Sequence, residues 1–206
     1  MLQKIKKIFR FRLNQYKNYK IFQSSIKAPD KFQGTKIHFG CGDVNLNGWI
    51  NVDLRLADHI AINSDNLSMF KENSVDVIYM CHVLEHMSYQ NITEILEQAF
   101  FALKKSGLIL ISVPDFDKLI SFYEETGDIN SIQSPLHGGQ DYDLNIHKIS
   151  FTTKSLSEIF DQIGFKGISN WETNEFFGFD NFDWSSKKIK YKSLSKNISL
   201  NLYAKK

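Results

Sequence analysis

An apolar run that stops at two glycines, one residue apart, constrains this chain more than any other feature. The run is Lys36-Ile37-His38-Phe39, and Gly40-Cys41-Gly42-Asp43 follows it directly. Glycine reaches backbone angles that other residues avoid, and it leaves a ligand free to lie against the backbone. A second apolar stretch, Trp49-Ile50-Asn51-Val52, ends at Asp53. A carboxylate at a strand tip can accept both hydrogen bonds of a ribose diol. A glycine turn followed by an acid at the end of the next strand points to an adenosine-containing ligand across the carboxyl ends of a parallel sheet.

The rest of the chain supplies that sheet. His59 to Ile62 is expected as a short third strand and Val75 to Met80 as a buried fourth, after the Asn73-Ser74 punctuation. Ile92, Ile95, Leu96, Ala99, Phe100 and Leu103 then recur on one helical face. Lys104 and Lys105 suit the negative end of that helix, and Gly107 its stop. Leu108 to Val113 is a fifth strand closed by Pro114-Asp115. Alternation of this kind argues a parallel sheet covered on both faces. Beyond it, Phe116 to Glu125 reads as a helix and Asn130 to Ile149 as a long loop rich in Gly, Asp and His. A helix on Leu156, Ile159, Phe160 and Ile163 is capped by Thr153 or Ser155 and ended by Gly164. Lys166 to Trp171 and Ile198 to Ala204 are a sixth and a seventh strand.

Residues 1–25 stand apart as a basic amphipathic extension to a single domain over 26–206. Lys4, Lys6, Lys7, Arg10, Arg12, Lys17 and Lys20 occur with no acid among them, beside Leu2, Ile5, Ile8, Phe9, Leu13 and Tyr16 at helical spacing. Two readings stay open: peripheral contact of residues 1–20 with an anionic membrane, or a helix covering the sheet with its lysines solvated. Net charge over the whole chain is only +2, which selects no polyanionic partner. Two cysteines in no metal or disulfide spacing fit a reducing compartment, and no run is apolar enough for a membrane span. A cytoplasmic protein is expected, with the inner membrane surface as its one membrane option.

These residues resemble the class I S-adenosylmethionine-dependent methyltransferases. Ile37-His38-Phe39-Gly40-Cys41-Gly42 is similar to the glycine motif after that family's first strand, and Asp53 to the acid closing its second. Asn73-Ser74-Val75-Asp76 with His82-Val83-Leu84-Glu85-His86 resembles the motif around the fourth strand of the small-molecule branch, and Val113-Pro114 the end of the fifth. The resemblance runs from about Gly34 to Ala204. It implies an α/β, Rossmann-like fold: a seven-stranded mixed sheet of order 3-2-1-4-5-7-6, helices on both faces, the last strand antiparallel. It also implies S-adenosyl-L-methionine as cofactor. Gly40, Cys41 and Gly42 would hold the methionine part and Asp53 the ribose. Asp65 would approach the adenine, and Cys81 and His82 would line the methyl side.

One departure stands out. Only Gly40 to Gly48 joins the first two strands, where the family has a full helix and a parallel crossover ordinarily needs a dozen or more residues. The glycine turn should therefore be less firmly backed. Dinucleotide binding fits worse: the third glycine position is Asn45, Asp53 comes too early, and the connection offers no helix N-terminus for a pyrophosphate.

Methyl transfer to a hydroxyl usually needs a base, whereas a carboxylate or thiolate acceptor does not. His82, Glu85 and His86 follow the fourth strand, Asp115 ends the fifth, and His137, Asp141, Asp143 and His147 lie on the long loop. His86 and His147 are the expected catalytic residues, His147 first because loop residues are freer to be functional. No metal is expected, because the ligand spacing fits no compact motif. Phe176, Phe177, Phe179, Phe182 and Trp184 either complete a core or flank the acceptor, where rings beside acids would suit a sugar. The expected function is methyl transfer to a small molecule, such as a sugar or glycan precursor, with no nucleic-acid partner. The alternatives are a nucleic-acid methyltransferase gripping through the basic N-terminus and a non-catalytic binding module of the same fold.

Overall fold

The computed structural model describes residues 32–55, 57–178 and 183–206. The basic stretch within residues 1–25, and the start of the domain up to residue 31, lie outside them. Apolar side chains at consecutive strand positions force a sheet buried on both faces. That sheet forms from β1 (Lys36–Phe39), β2 (Ile50–Asp53), β3 (Ile62–Asn63), β4 (Val75–Cys81), β5 (Leu103–Pro114), β6 (Lys166–Asn170) and β9 (Ser199–Lys205). Its order is β3-β2-β1-β4-β5-β9-β6. β1 to β5 pair in parallel, and β9 runs antiparallel to both β5 and β6. A separate hairpin, β7 (Lys188–Tyr191) with β8 (Leu194–Asn197), precedes the last strand. No turn signal in the sequence separates it from the last strand. Without the hairpin the order is the expected 3-2-1-4-5-7-6.

The helices α1 (Tyr89–Ala102) and α4 (Thr153–Ile163) bury Ile92, Leu96, Ala99, Leu156 and Phe160 against one face. The other face carries Leu46, Trp49, Tyr79 and Trp171, with Phe177 from the short α5 (Thr173–Phe177). This settles part of the aromatic stretch. Phe177 is buried among Trp49, Tyr79 and Trp171, and Phe176 stacks on Phe32 at 5.6 Å, so both complete the core. Phe179 and Phe182 lie outside the described residues. A third cluster joins α2 (Phe116–Thr126), α3 (Ile129–His137) and the hairpin through Leu119, Phe122, Ile132 and Ile198.

Several boundaries differ from expectation, each for a local reason. α1 stops at Ala102 because Leu103 turns extended (φ −63°, ψ 139°) and pairs with Val75. Lys104 therefore reaches the Asp76 carboxylate at 2.7 and 2.9 Å instead of the helix end, and Gly107 lies inside β5. The third strand is only Ile62–Asn63, and His59 and Ile60 sit in the turn before it. The expected loop contains α3, capped by the Asp128 side chain, whose pattern is obscured by Pro135 inside it. The cap of α4 is Thr152, with Ser155 bonding back to it.

His38 faces Tyr79 within the sheet, rings stacked at 5.1 Å, and is 1% exposed. Burial pulls its pKa down to about 4, against weaker opposing effects of Asp183, Asn51 and Asp53. The unfolded chain then binds the extra proton between pH 6.5 and 4, so stability is full above 6.5 and falls as pH drops through that window. The shift corresponds to about 3 kcal/mol. Urea titrations at pH 7 and pH 4 should show His38→Asn losing about that much less stability than the wild type; equal losses would refute the assignment.

Candidate active site

A cleft of about 870 Å³ opens at the carboxyl ends of β1, β2 and β4, where the strand order reverses. Its floor is the glycine turn. Gly40 and Gly42 have φ of +66° and +55°. Both glycine N–H groups are used: Gly40 donates to the Val52 carbonyl at 2.8 Å, and Gly42 to Asp53 Oδ2 at 2.8 Å. The Gly42 carbonyl accepts from His59 Nε2 at 2.8 Å, so this ring nitrogen carries the proton. No helix lies between β1 and β2, yet the turn is pinned from both sides. The histidine expected on the third strand does part of this work.

Asp53 Oδ1 accepts from the Arg55 backbone N–H at 2.7 Å and lies 3.5 Å from Arg55 Nε. Among the described residues Oδ2 accepts one hydrogen bond, which leaves it a lone pair, because a carboxylate oxygen accepts about two. Asp65 lines the cleft from the other side of β2, its side chain bonded to Asn66. Arg55 also lines it, bridging Asp53 and Asp43. As a lone cation after the acid, it gave no sequence signal.

Cys41 and Cys81 both reach the cleft. Burial, with Asp53 adding to it, pushes the Cys41 thiol up to about 12. Burial and then Asp183 hold Cys81 well above the ordinary thiol range. Neither is a thiolate at neutral pH, so neither serves as a nucleophile.

His82 follows β4 with φ +54°, an angle rare outside glycine though more tolerated by His than by most residues. Its Nε2 is 2.9 Å from Ser199 Oγ, whose own proton goes to the Trp184 carbonyl at 2.7 Å. The other nitrogen, Nδ1, lies 3.2 Å from Glu85 Oε1. Glu85 and His86 belong to a 3-10 turn, Leu84–His86. Glu85 is fully buried. Burial alone would raise its pKa, but His82, followed by His86 and His147, outweighs burial and holds it below its usual value.

The long loop returns to this turn. The Lys148 N–H donates to the Glu85 carbonyl at 2.7 Å, which sets His147 against His86 with ring centroids 4.7 Å apart. Helix α3 leaves its last carbonyls without internal partners. His147 takes two of them, Nδ1 to Pro135 at 2.9 Å and backbone N–H to His137 at 3.1 Å. A carbonyl only accepts, so Nδ1 carries the proton and Nε2 the lone pair. Burial, opposed by Glu85, keeps His147 neutral by lowering its pKa.

The other acidic and histidine candidates fall away. Asp115 is buried as the cap of α2, accepting from the N–H groups of Asp117 and Lys118. His137 is exposed at the end of α3. Asp141 and Asp143 lie at the exposed rim. Trp184, from the aromatic stretch, does reach the cleft: it is 45% exposed and its ring is 5.9 Å from His82.

A family model described as a methyltransferase domain matches residues 14–170, and the chain belongs to that family. It is a class I S-adenosylmethionine-dependent methyltransferase, with S-adenosyl-L-methionine as cofactor. No curated protein sequence matches it. Among solved structures it is similar to an S-adenosylmethionine-dependent methyltransferase from Archaeoglobus fulgidus, at 17% identity and TM-score 0.54, covering 97% of this chain and 94% of that one. It is also similar to a possible histamine N-methyltransferase from Thermotoga maritima, at 14% identity and TM-score 0.50, covering 98% and 96%. A third is the 1,6-didemethyltoxoflavin-N1-methyltransferase of Burkholderia thailandensis, solved with bound 1,6-didemethyltoxoflavin and S-adenosylhomocysteine, at 12% identity and TM-score 0.54, covering 99% and 83%. These likenesses establish the shared fold. Among the described residues no helix is long and apolar enough to cross a membrane.

Proposed function

We propose that this methyltransferase acts on a hydroxyl of a small molecule, and that a sugar or glycan precursor is the acceptor its cleft suits best. The observation that carries the reading is Trp184, an exposed indole beside His82 at the acceptor end, with Lys187 Nζ 5.3 Å from the ring centroid. A flat apolar plane next to polar groups matches a sugar ring, whose faces carry C–H and whose edges carry hydroxyls.

The cofactor supplies an electrophilic methyl on a charged sulfonium, so the chain's task is alignment and exclusion of water. Gly40, Cys41 and Gly42 are assigned to the methionine part, Asp53 to the ribose, Asp65 to the adenine side, and Cys81 and His82 to the methyl side. The single hydrogen bond on Asp53 Oδ2 and the position of the glycine turn on the cleft floor support those roles. His86 and His147 are assigned to activation of the acceptor hydroxyl.

Labelled S-adenosylmethionine offered with sugar nucleotides and free monosaccharides tests the acceptor class. Methyl uptake by a sugar is expected. Trp184→Ala should raise KM for that sugar roughly tenfold, as loss of about 1.4 kcal/mol of stacking would. An unchanged KM, or uptake only by non-sugar acceptors, would contradict the sugar reading.

A further inference from the structure

We propose that Glu85, His86 and His147 form a binding site for a divalent first-row transition-metal ion at the acceptor end of the cleft. One ligand-capable atom from each lies within 4.8 Å of the others. The Glu85 carboxylate is fully buried, and among the described residues its oxygens face no donor but His82 Nδ1, which can bond Oε1 only when that nitrogen carries a proton. The nearest nitrogens are His82 Nδ1 at 3.2 Å and His147 Nε2 at 4.0 Å from Oε1. His86 Nδ1 is likewise buried and has no hydrogen-bond partner among the described residues.

Hydrogen bonding fixes what these atoms offer. His147 donates through Nδ1 to the Pro135 carbonyl, so a neutral ring has its lone pair on Nε2, near the carboxylate. Two electron-pair donors thus stand close together, with nothing between them to share. Left so, the arrangement is costly, because buried polar atoms in folded proteins are otherwise almost always paired. A cation between them satisfies the carboxylate and the imidazole together. Imidazole donors with one carboxylate suit zinc, cobalt, manganese or iron, whereas magnesium and calcium favour oxygen-only sets. Bonds of about 2.0–2.2 Å would draw the donors together on loading. The Pro135 carbonyl fixes the His147 ring, as orienting partners do for metal-binding histidines.

His86 and His147 line the cleft, so an ion there would present an open position to an acceptor oxygen and lower its pKa. That consequence rests on the proposed function, whereas metal binding stands on the geometry alone. Linear spacing hid the site because His147 comes far along the chain and is brought back by the Lys148 to Glu85 backbone bond.

The test is titration of Co²⁺ into the full, tag-free, EDTA-treated chain, followed by visible absorption and calorimetry. One ion per chain is expected to bind. Glu85→Gln and His147→Ala should each weaken binding at least about tenfold. His137→Ala, at an exposed histidine outside the cluster, should bind as the wild type does. S-adenosylhomocysteine titrated into the same variants checks their fold, and His147→Ala carries the test if Glu85→Gln does not fold. A wild type that binds no Co²⁺, or affinity unchanged in the folded variants, would overturn the proposal. Co²⁺ binding without S-adenosylhomocysteine binding would uphold the metal site while contradicting the cofactor assignment.

Discussion

His147→Ala is expected to lower turnover roughly 10²–10⁴-fold while leaving affinity for S-adenosylhomocysteine near the wild-type value. The ring is fixed by the Pro135 carbonyl and packs against His86 and Glu85 rather than against the glycine turn, which places it on the proposed acceptor side. Its loss should therefore slow the reaction and spare cofactor binding. His86→Ala should behave alike. The double variant should be little slower than either single one, since groups acting as a unit show strongly non-additive losses. Initial-rate kinetics on the three variants check this. Wild-type turnover in both single variants would show that no histidine base operates there, leaving alignment or an acid such as Glu85 to account for the rate.

Gly40→Val should abolish measurable cofactor binding. At φ +66° a β-branched residue is strained, and a Cβ there would lie 2.3 Å from Val83 Cγ2. The turn must move, and with it the Gly40 N–H bond to Val52 and the neighbouring Gly42 bond to Asp53. Asp53→Ala should be milder, costing at least tenfold in affinity, as expected for losing hydrogen bonds to a charged acceptor worth about 1.5–3 kcal/mol. Calorimetry with melting curves separates a damaged cleft from a damaged fold.

The parallel half of the sheet was legible because its signals are local. Ile37, Phe39, Val52, Ile78, Met80, Ile109 and Ile111 are buried core residues within strands that read as apolar runs. The glycines and Asp53 announce the cleft, since a positive φ and a strand-tip acid need those residue types. Three features were hidden because they depend on tertiary pairing. Leu103 had a helical period, but pairing with Val75 pulled it into β5. His59 read as a strand residue, yet its side chain pins Gly42. Glu85, His86 and His147 become one cluster only when the loop docks on the turn after β4. The missing crossover helix was visible in the short spacing. The bonds from Asp53, His59 and Val52 that steady the turn in its place were not.

Gly40 to Gly42 and Asp53 are the proposed S-adenosylmethionine site. Calorimetric titration of S-adenosylhomocysteine into the wild type and Asp53→Ala tests it most directly. One ligand bound per wild-type chain, with affinity at least tenfold weaker in a folded Asp53→Ala, is the expected result. Equal affinity in the two proteins would contradict it.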